Sequence, residues 1–274
     1  IREGPKEALA LTTNTQPVML VAGVAAYRAW IARTGAVPTA VAGHSLGEYS
    51  ALVAAGVLSL AQAAPLVRLR ARAMQDAVPV GAGAMAAVLG LDAHKVVAIC
   101  AEVTASFGVD STELVQAANF NDPAQTVIAG SKAAVERACE VLKAQGARRA
   151  LSLPVSAPFH SSLMRPAAEK LREALALVDL KAPAIALVNN VDVAVESEAG
   201  RIRDALYRQA FGPVRWVECM QAIRARGVTT VVECGPGKVL SGMVARIDAS
   251  MVGMALFDPA SLAGAEAALQ GAAT

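Results

Sequence analysis

Val37-Pro38-Thr39-Ala40-Val41-Ala42-Gly43-His44-Ser45-Leu46-Gly47-Glu48-Tyr49-Ser50-Ala51-Leu52-Val53-Ala54-Ala55-Gly56 is the stretch on which the fold turns. Val37–Ala42 reads as a short buried strand and Leu46–Ala55 as a helix that Gly56 stops. Between them, Gly43 to Gly47 is G-x-S-x-G set between strand and helix, the context in which that pattern means a nucleophile turn. The glycines let the backbone reverse sharply, so Ser45 would stand at the carboxyl end of the strand. The Leu46 amide, first of the following helix, is then a donor for a developing oxyanion. An ordinary turn with an incidental serine is the plainer reading; the correct flank on each side favours the nucleophile.

Upstream, Pro17–Gly35 reads as an apolar helix. Downstream, Ser59 reads as the N-cap of a helix running to about Asp76, and Gly81 and Gly83 punctuate a boundary. Ala84–Leu89, Asp92–Ser106, Leu114–Asn119, Gln125–Ala129, Ser131–Ala144 and Arg149–Val155 then follow as strand, helix, strand, strand, helix, strand. That is the ferredoxin-like order, with Asn121-Asp122-Pro123 as a tight connector. Beyond it come a helix at Pro166–Leu177, strands at Ile185–Val191 and Thr229–Cys234, and a helix at Val217–Arg226. The expected fold is α/β: an α/β-hydrolase-like parallel-sheet core from residues 1–77 and 165–274, with residues 78–164 inserted as a small ferredoxin-like subdomain.

Composition excludes several classes. Among 274 residues, 55% are hydrophobic and only 4% aromatic, so the core is built from Ala, Val, Leu and Ile; with 18% charged, the chain is not a disordered one. Twenty-five Lys and Arg against 23 Asp and Glu leave +2, too balanced for a protein that works by neutralising nucleic-acid phosphates. The most apolar run, Val18 to Tyr27, falls short of the ~20 residues that span a bilayer. The chain opens at Ile1 without Met, as expected of a piece of a longer chain, and no signal peptide is read there. Cys100, Cys139, Cys219 and Cys234 have no metal-ligand spacing and read as buried free thiols in a reducing cytoplasm, with no metal site.

A serine hydroxyl needs a base. Of the three histidines, His94 opens an amphipathic helix and reads as a solvated surface residue. His44 precedes the nucleophile, and the turn points it elsewhere, into a supporting role. His160, in Pro158-Phe159-His160-Ser161, follows the inserted block where a loop can return to the core; it is the base, a hydrogen-bonded core histidine being the alternative. The chain runs on to Thr274 without another histidine, whereas an α/β-hydrolase keeps its histidine close to the C-terminus. An ordinary esterase is disfavoured on that ground. On the helix Leu66 to Asp76, the three- and four-residue neighbours of Arg70 are Leu66, Val67, Ala73 and Met74, all apolar. A guanidinium on that stripe needs an anion. Two readings stand: an internal salt bridge, or recognition of a substrate carboxylate beside Ser45.

With these three residues in place, the chain closely resembles the malonyl-CoA:acyl carrier protein transacylase family. The matching stretches are Gly43 to Val57, Val67 to Gln75, Gly83 to Leu91, Asn119 to Gly130, Leu153 to Met164, Val188 to Asp192 and Glu233 to Met243. The resemblance implies ping-pong transfer from malonyl-CoA, a coenzyme A thioester, to the phosphopantetheine thiol of acyl carrier protein. Ser45 would carry the malonyl group, His160 would be the acid-base and Arg70 would grip the free carboxylate. The backbone carbonyl of Gln209 would orient His160 in place of a triad aspartate, and Phe159 would bound the space around the malonyl α-carbon. His44, Met74, Asn119 and Asn121 complete the expected substrate-binding set, turn chemistry being the other reading of the two asparagines. No bound cofactor is expected, and neither a nucleic acid nor a membrane partner; the chain is read as a cytoplasmic monomer. The family begins with a strand and a Gly-Gln-Gly loop whose glutamine amide is the second oxyanion donor. A chain starting at Ile1 has only Leu46 N–H, so it is expected to transfer slowly beside one carrying that strand.

The alternatives are a serine thioesterase or esterase, and a non-catalytic carrier-binding relic. Gly235-Pro236-Gly237-Lys238 lacks Walker spacing and reads as a strand-to-helix turn. Lys143, Arg148 and Arg149 are read either as a solvated face or as a dock for an acidic carrier.

Overall fold

The computed structural model describes residues 4–155 and 157–271. The opening residues 1–3, Ser156 within the Leu153–Met164 stretch, and residues 272–274 lie outside the described residues. In chain order the first part runs α1 (Lys6–Ala10), α2 (Thr12–Thr34), β1 (Ala40–Val41), α3 (Gly47–Ala54) and α4 (Leu60–Asp76). The middle is β2 (Gly83–Leu89), α5 (Ala93–Ser106), β3 (Val115–Asp122), β4 (Gln125–Ser131), α6 (Lys132–Ala144) and β5 (Arg149–Ser152). A 3₁₀ turn at Ser162–Met164 leads into α7 (Arg165–Ala176), β6 (Ala186–Leu187), α8 (Ala199–Gln209), α9 (Trp216–Arg224), β7 (Thr230–Cys234), α10 (Ser241–Ile247), β8 (Val252–Leu256) and α11 (Pro259–Gly271).

The middle part is the ferredoxin-like unit expected. Its four strands lie in the order β3-β4-β2-β5, all pairs antiparallel, as that topology requires. The connector is shorter than the sequence suggests. Asn119, Asn121 and Asp122 belong to β3, and the hairpin closes at Pro123-Ala124, with Ala124 N–H donating to Asp122 Oδ1 at 2.9 Å. The sheet's own alternation separates two layers. Ala86, Val88 and Ile128 pack against α5 and α6, whereas Met85, Ala118, Val127 and Ala129 pack toward Leu153 and Phe159.

In the core, β1 pairs with β6 and β7 with β8, both in parallel, as two separate two-stranded ladders. Two strand expectations are therefore corrected. Val37–Ala42 forms a ladder only at Ala40–Val41, and Ile185–Val191 only at Ala186–Leu187. Propensity marks where a strand is possible, but the partner's reach sets where the ladder runs. The helical boundaries agree within a turn or so: α2 begins at Thr12, placing Pro17 in its second turn, and α4 opens on a full capping box between Ser59 and Gln62. α1, α8, α10, β8 and α11 are further elements beyond those read from the sequence. The largest apolar cluster joins Leu20 and Val24 of α2, Tyr49 and Leu52 of α3, Leu66, Val67 and Met74 of α4, Leu171 and Leu175 of α7 and Leu206 of α8. No described helix is long and apolar enough to cross a membrane. The cysteines are free, but only Cys100 and Cys219 are buried; Cys139 and Cys234 are half-buried, which corrects the reading of all four as buried.

Strand β3 ties the inserted unit to the core. Val214 N–H donates to Ala118 O and Phe120 N–H to Val214 O, each at 2.9 Å. At the hairpin tip, Arg246 of α10 donates from Nε to Asp122 Oδ2 at 2.9 Å. Phe159 packs against both the largest core cluster and the inner face of the small sheet, so the loop bearing His160 sits at the junction of the two.

Candidate active site

The turn after β1 places Ser45 at φ +53°, in the left-handed region. Gly43 is sterically compelled there: a Cβ on it would lie 1.9 Å from the Gly47 carbonyl carbon. Gly47 is not, since a Cβ on it meets nothing within 4 Å among the described residues; the two glycines of the motif are unequal, contrary to the sequence reading. Gly47 N–H bonds His44 O at 2.8 Å and Glu48 N–H bonds Ser45 O at 3.1 Å, closing the turn into α3. The Leu46 amide has no acceptor among the described residues and remains available as a donor at the helix start.

His160 arrives from the far side of the fold. Its loop is pressed onto β2, where Pro158 occupies the space that a Cβ on Gly83 would need, 2.3 Å from Pro158 Cδ. Ser161 Oγ donates to Pro158 O at 2.7 Å, and Ser162 N–H donates to Gln116 Oε1 of β3 at 2.8 Å. So held, His160 adopts φ +62°, a conformation that costs about 1–3 kcal/mol and persists only under such constraint. Its Nδ1 lies 2.9 Å from Gln209 O and 3.2 Å from Gly212 O, and its Nε2 lies 2.6 Å from Ser45 Oγ. Two carbonyls can only accept, so Nδ1 carries the proton and the Nε2 lone pair faces the serine hydroxyl. Burial, reinforced by the Arg70 and His44 charges, pushes the imidazole pKa down to about 3. The ring is therefore neutral in the resting site, and its unprotonated Nε2 is the atom that faces the serine hydroxyl.

Arg70 of α4 is 2% exposed, and Arg72, two residues on, is exposed, as the helical spacing predicts. Its Nη1 donates to Gln16 Oε1 at 2.6 Å, and its Nη2 donates to Ser45 Oγ at 3.2 Å and Gln209 Oε1 at 3.1 Å. All three acceptors are neutral, and Arg70 forms no salt bridge among the described residues. The internal ion pair that stood as an alternative is absent there. The guanidinium lies over the Tyr49 ring at 5.5 Å, and Nε is buried with no hydrogen-bond partner among the described residues, so part of the guanidinium edge is unsatisfied there. Burial draws its pKa below the ordinary arginine value, yet a guanidinium stays cationic.

The remaining expected residues surround this trio. Met74, one turn beyond Arg70, is buried, and its Sδ lies 3.9 Å from Gln16 Nε2. His44 Nε2 lies 2.8 Å from Asn121 Oδ1, and its ring stands edge-on to Trp216 at 5.6 Å between centroids. Asn119 and Asn121 are buried in β3, so their strand position replaces the turn chemistry that was one reading of them. Lys143, Arg148 and Arg149 are all exposed, as is His94. Among the described residues no cluster of three or more His, Cys, Asp or Glu could hold a metal ion.

Three polar residues of the site escaped the sequence reading. Gln16 sits on the buried face of α2, between Thr12 and Leu20. Glu48 is 2% exposed on α3, and Asn190 is fully buried just past β6. A partial signal for Glu48 was present, since its forward helical neighbours Ala51 and Leu52 are apolar. Asn190 Oδ1 accepts from Ser45 N–H at 2.8 Å and its Nδ2 donates to Gly43 O at 2.9 Å. Glu48 Oε2 accepts from Asn190 N–H at 3.0 Å and from Gln209 Nε2 at 3.1 Å, and burial lifts its pKa to about 7.

A serine on a strand-to-helix turn, beside a neutral imidazole oriented by carbonyls and a buried arginine, is an arrangement suited to serine acyl transfer. The family model for the acyl transferase domain matches residues 1–256. The malonyl CoA-acyl carrier protein transacylase of Escherichia coli strain K12 is 48% identical over 264 residues, covering 96% of this chain and 84% of that protein. Among solved structures, the acyl-carrier-protein S-malonyltransferase of Burkholderia pseudomallei 1710b is 62% identical at a TM-score of 0.93, with 97% of this chain and 85% of that one covered. A malonyl-transacylase solved in complex with its type II PKS acyl-carrier protein is 47% identical at a TM-score of 0.93, covering 97% and 84%. The chain belongs to the acyl transferase family, and within it to the malonyl CoA-acyl carrier protein transacylases.

Proposed function

We propose that this acyltransferase moves the malonyl group from malonyl-CoA to the phosphopantetheine thiol of acyl carrier protein, in fatty acid biosynthesis, through an ester on Ser45. The single observation that carries the residue roles is the 2.6 Å approach of His160 Nε2 to Ser45 Oγ beside a buried arginine that has no carboxylate partner among the described residues. Ser45 Oγ attacks the thioester carbonyl while its proton passes to His160 Nε2. The oxyanion faces Leu46 N–H; on collapse the C–S bond breaks and the departing thiolate takes the proton back from His160. The carrier thiol then repeats these steps in reverse: it gives its proton to His160, attacks the ester, and Ser45 leaves as the alcohol. Through both halves Arg70 holds the malonyl carboxylate, its Nε–H and the Nη2 corner now on Ser45 providing the fork.

Phe159, anchored between two apolar clusters, is assigned to bound the malonyl α-carbon. His44, Asn119, Asn121 and Met74 are assigned to the substrate channel, and the exposed Lys143, Arg148 and Arg149 to a solvated face. The division into a core of residues 1–77 and 165–274 and an insert of 78–164, a cytoplasmic location, a monomeric state and the lack of any cofactor, nucleic-acid or membrane partner belong to the same reading. Incubation with malonyl-CoA and the phosphopantetheinylated carrier tests it. Malonyl-carrier should accumulate in step with free coenzyme A, whereas release of free malonate at that rate would make the protein a thioesterase instead.

A further inference from the structure

The three groups of the site come from separate elements: Ser45 from the turn before α3, Arg70 from α4 and His160 from the loop after β5. A common reference that fixes their spacing is needed, and one buried oxygen meets the description. Glu48 Oε2 accepts two N–H groups, Asn190 N at 3.0 Å and Gln209 Nε2 at 3.1 Å. Asn190 in turn straddles the nucleophile turn, accepting from Ser45 N–H and donating to Gly43 O. Gln209 does more. Its Nε2 also donates to Ser45 O at 2.8 Å, its Oε1 accepts from Arg70 Nη2 at 3.1 Å, and its backbone carbonyl accepts from His160 Nδ1 at 2.9 Å. Every one of these groups is buried or nearly so, and a buried polar atom that loses its partner is expensive.

We propose that Glu48 is a positioning residue for the transfer reaction: its carboxylate, through Asn190 and Gln209, holds Ser45, His160 and Arg70 in one geometry. The inference rests on the acyl-transfer reading, but Glu48 touches neither substrate nor reacting atom. Its part is geometric, since Ser45 at φ +53° is held in a strained conformation that needs bonds on both sides of the turn. A displacement of about 1 Å at such a turn lowers turnover by on the order of 10²-fold. What matters is an acceptor oxygen at that point. A carboxamide supplies one in the same place, so its charge is secondary.

The test compares Glu48→Ala and Glu48→Gln with the unaltered chain in malonyl transfer to the carrier, assayed side by side, with folding monitored by circular dichroism. Glu48→Ala should lower kcat by about 30- to 100-fold while KM for malonyl-CoA moves by less than about threefold. Glu48→Gln should retain at least a third of kcat. In a double-mutant cycle with Asn190→Ala, the combined loss should fall at least tenfold short of the product of the single losses, because the two act through one path. Should Glu48→Ala fail to fold, Glu48→Asp, which withdraws the acceptor by one methylene, is expected to lower kcat in the same way. A folded Glu48→Ala with kcat within twofold of the unaltered chain, a Glu48→Gln as impaired as the alanine variant, or multiplicative losses in the cycle would each overturn the proposal. An unaltered chain that transfers no malonyl group would instead strike at the acyl-transfer reading itself.

Discussion

Arg70→Ala is expected to lower malonyl transfer by roughly 10²–10³-fold while acetyl transfer is held or increased. The magnitude follows from the ~2–5 kcal/mol lost when one partner of a buried, hydrogen-bonded charge pair is removed. The selectivity follows from where the charge goes. Among the described residues the guanidinium donates to Gln16, Gln209 and the Ser45 hydroxyl and lies over the Tyr49 ring at 5.5 Å, with no carboxylate on it and Nε left over. A malonyl carboxylate completes that set, and an acetyl group has nothing to offer it. Removing the cation also removes a donor from Ser45 Oγ and a positive charge that depresses His160, neither of which penalises a neutral acyl group. Rates for the two thioesters, measured on the same variant, check the point. Parallel loss of both would mean that Arg70 supports the site only as a structural strut.

His160→Ala is expected to lower transfer with either acyl group by about 10⁴-fold or more. Ser45 has a second neighbour, Arg70, but a guanidinium cannot accept a proton. The neutral imidazole, with Nδ1–H fixed on the Gln209 and Gly212 carbonyls, is therefore the one base facing Ser45 Oγ among the described residues. Because both half-reactions pass a proton through Nε2, acylation by malonyl-CoA and discharge to the carrier thiol should fall together in single-turnover measurements. A variant acylated at the normal rate and blocked only in discharge would contradict the symmetric role.

The residues legible in the sequence were those whose signal is local. The nucleophile turn lies within five consecutive positions. Arg70 betrays itself because every three- and four-residue neighbour on its helix is apolar. His160 emerged by elimination among three histidines, and Gln209 only through the family resemblance, since a backbone carbonyl leaves no mark on side-chain pattern. The inserted unit was readable because its strands and helices alternate with clear turns. What was lost depends on contacts distant in sequence. β1 and β6 shrink to two residues each because register with a partner decides ladder length. Asn190 joins the turn across 145 positions and Gln209 joins Glu48 across 161, distances over which single-residue patterns say nothing. Glu48 was legible through a weaker form of the argument applied to Arg70, since only its forward neighbours Ala51 and Leu52 are apolar.

Intact-mass and peptide-mass measurement of the protein after brief exposure to malonyl-CoA, and again after addition of the phosphopantetheinylated carrier, tests the central arrangement most directly. The account predicts one malonyl group on the peptide bearing Ser45, stable in buffer and lost to the carrier thiol, with no such adduct in Ser45→Ala. An adduct on another residue, or a carrier that becomes malonylated at full rate by the Ser45→Ala variant, would contradict it.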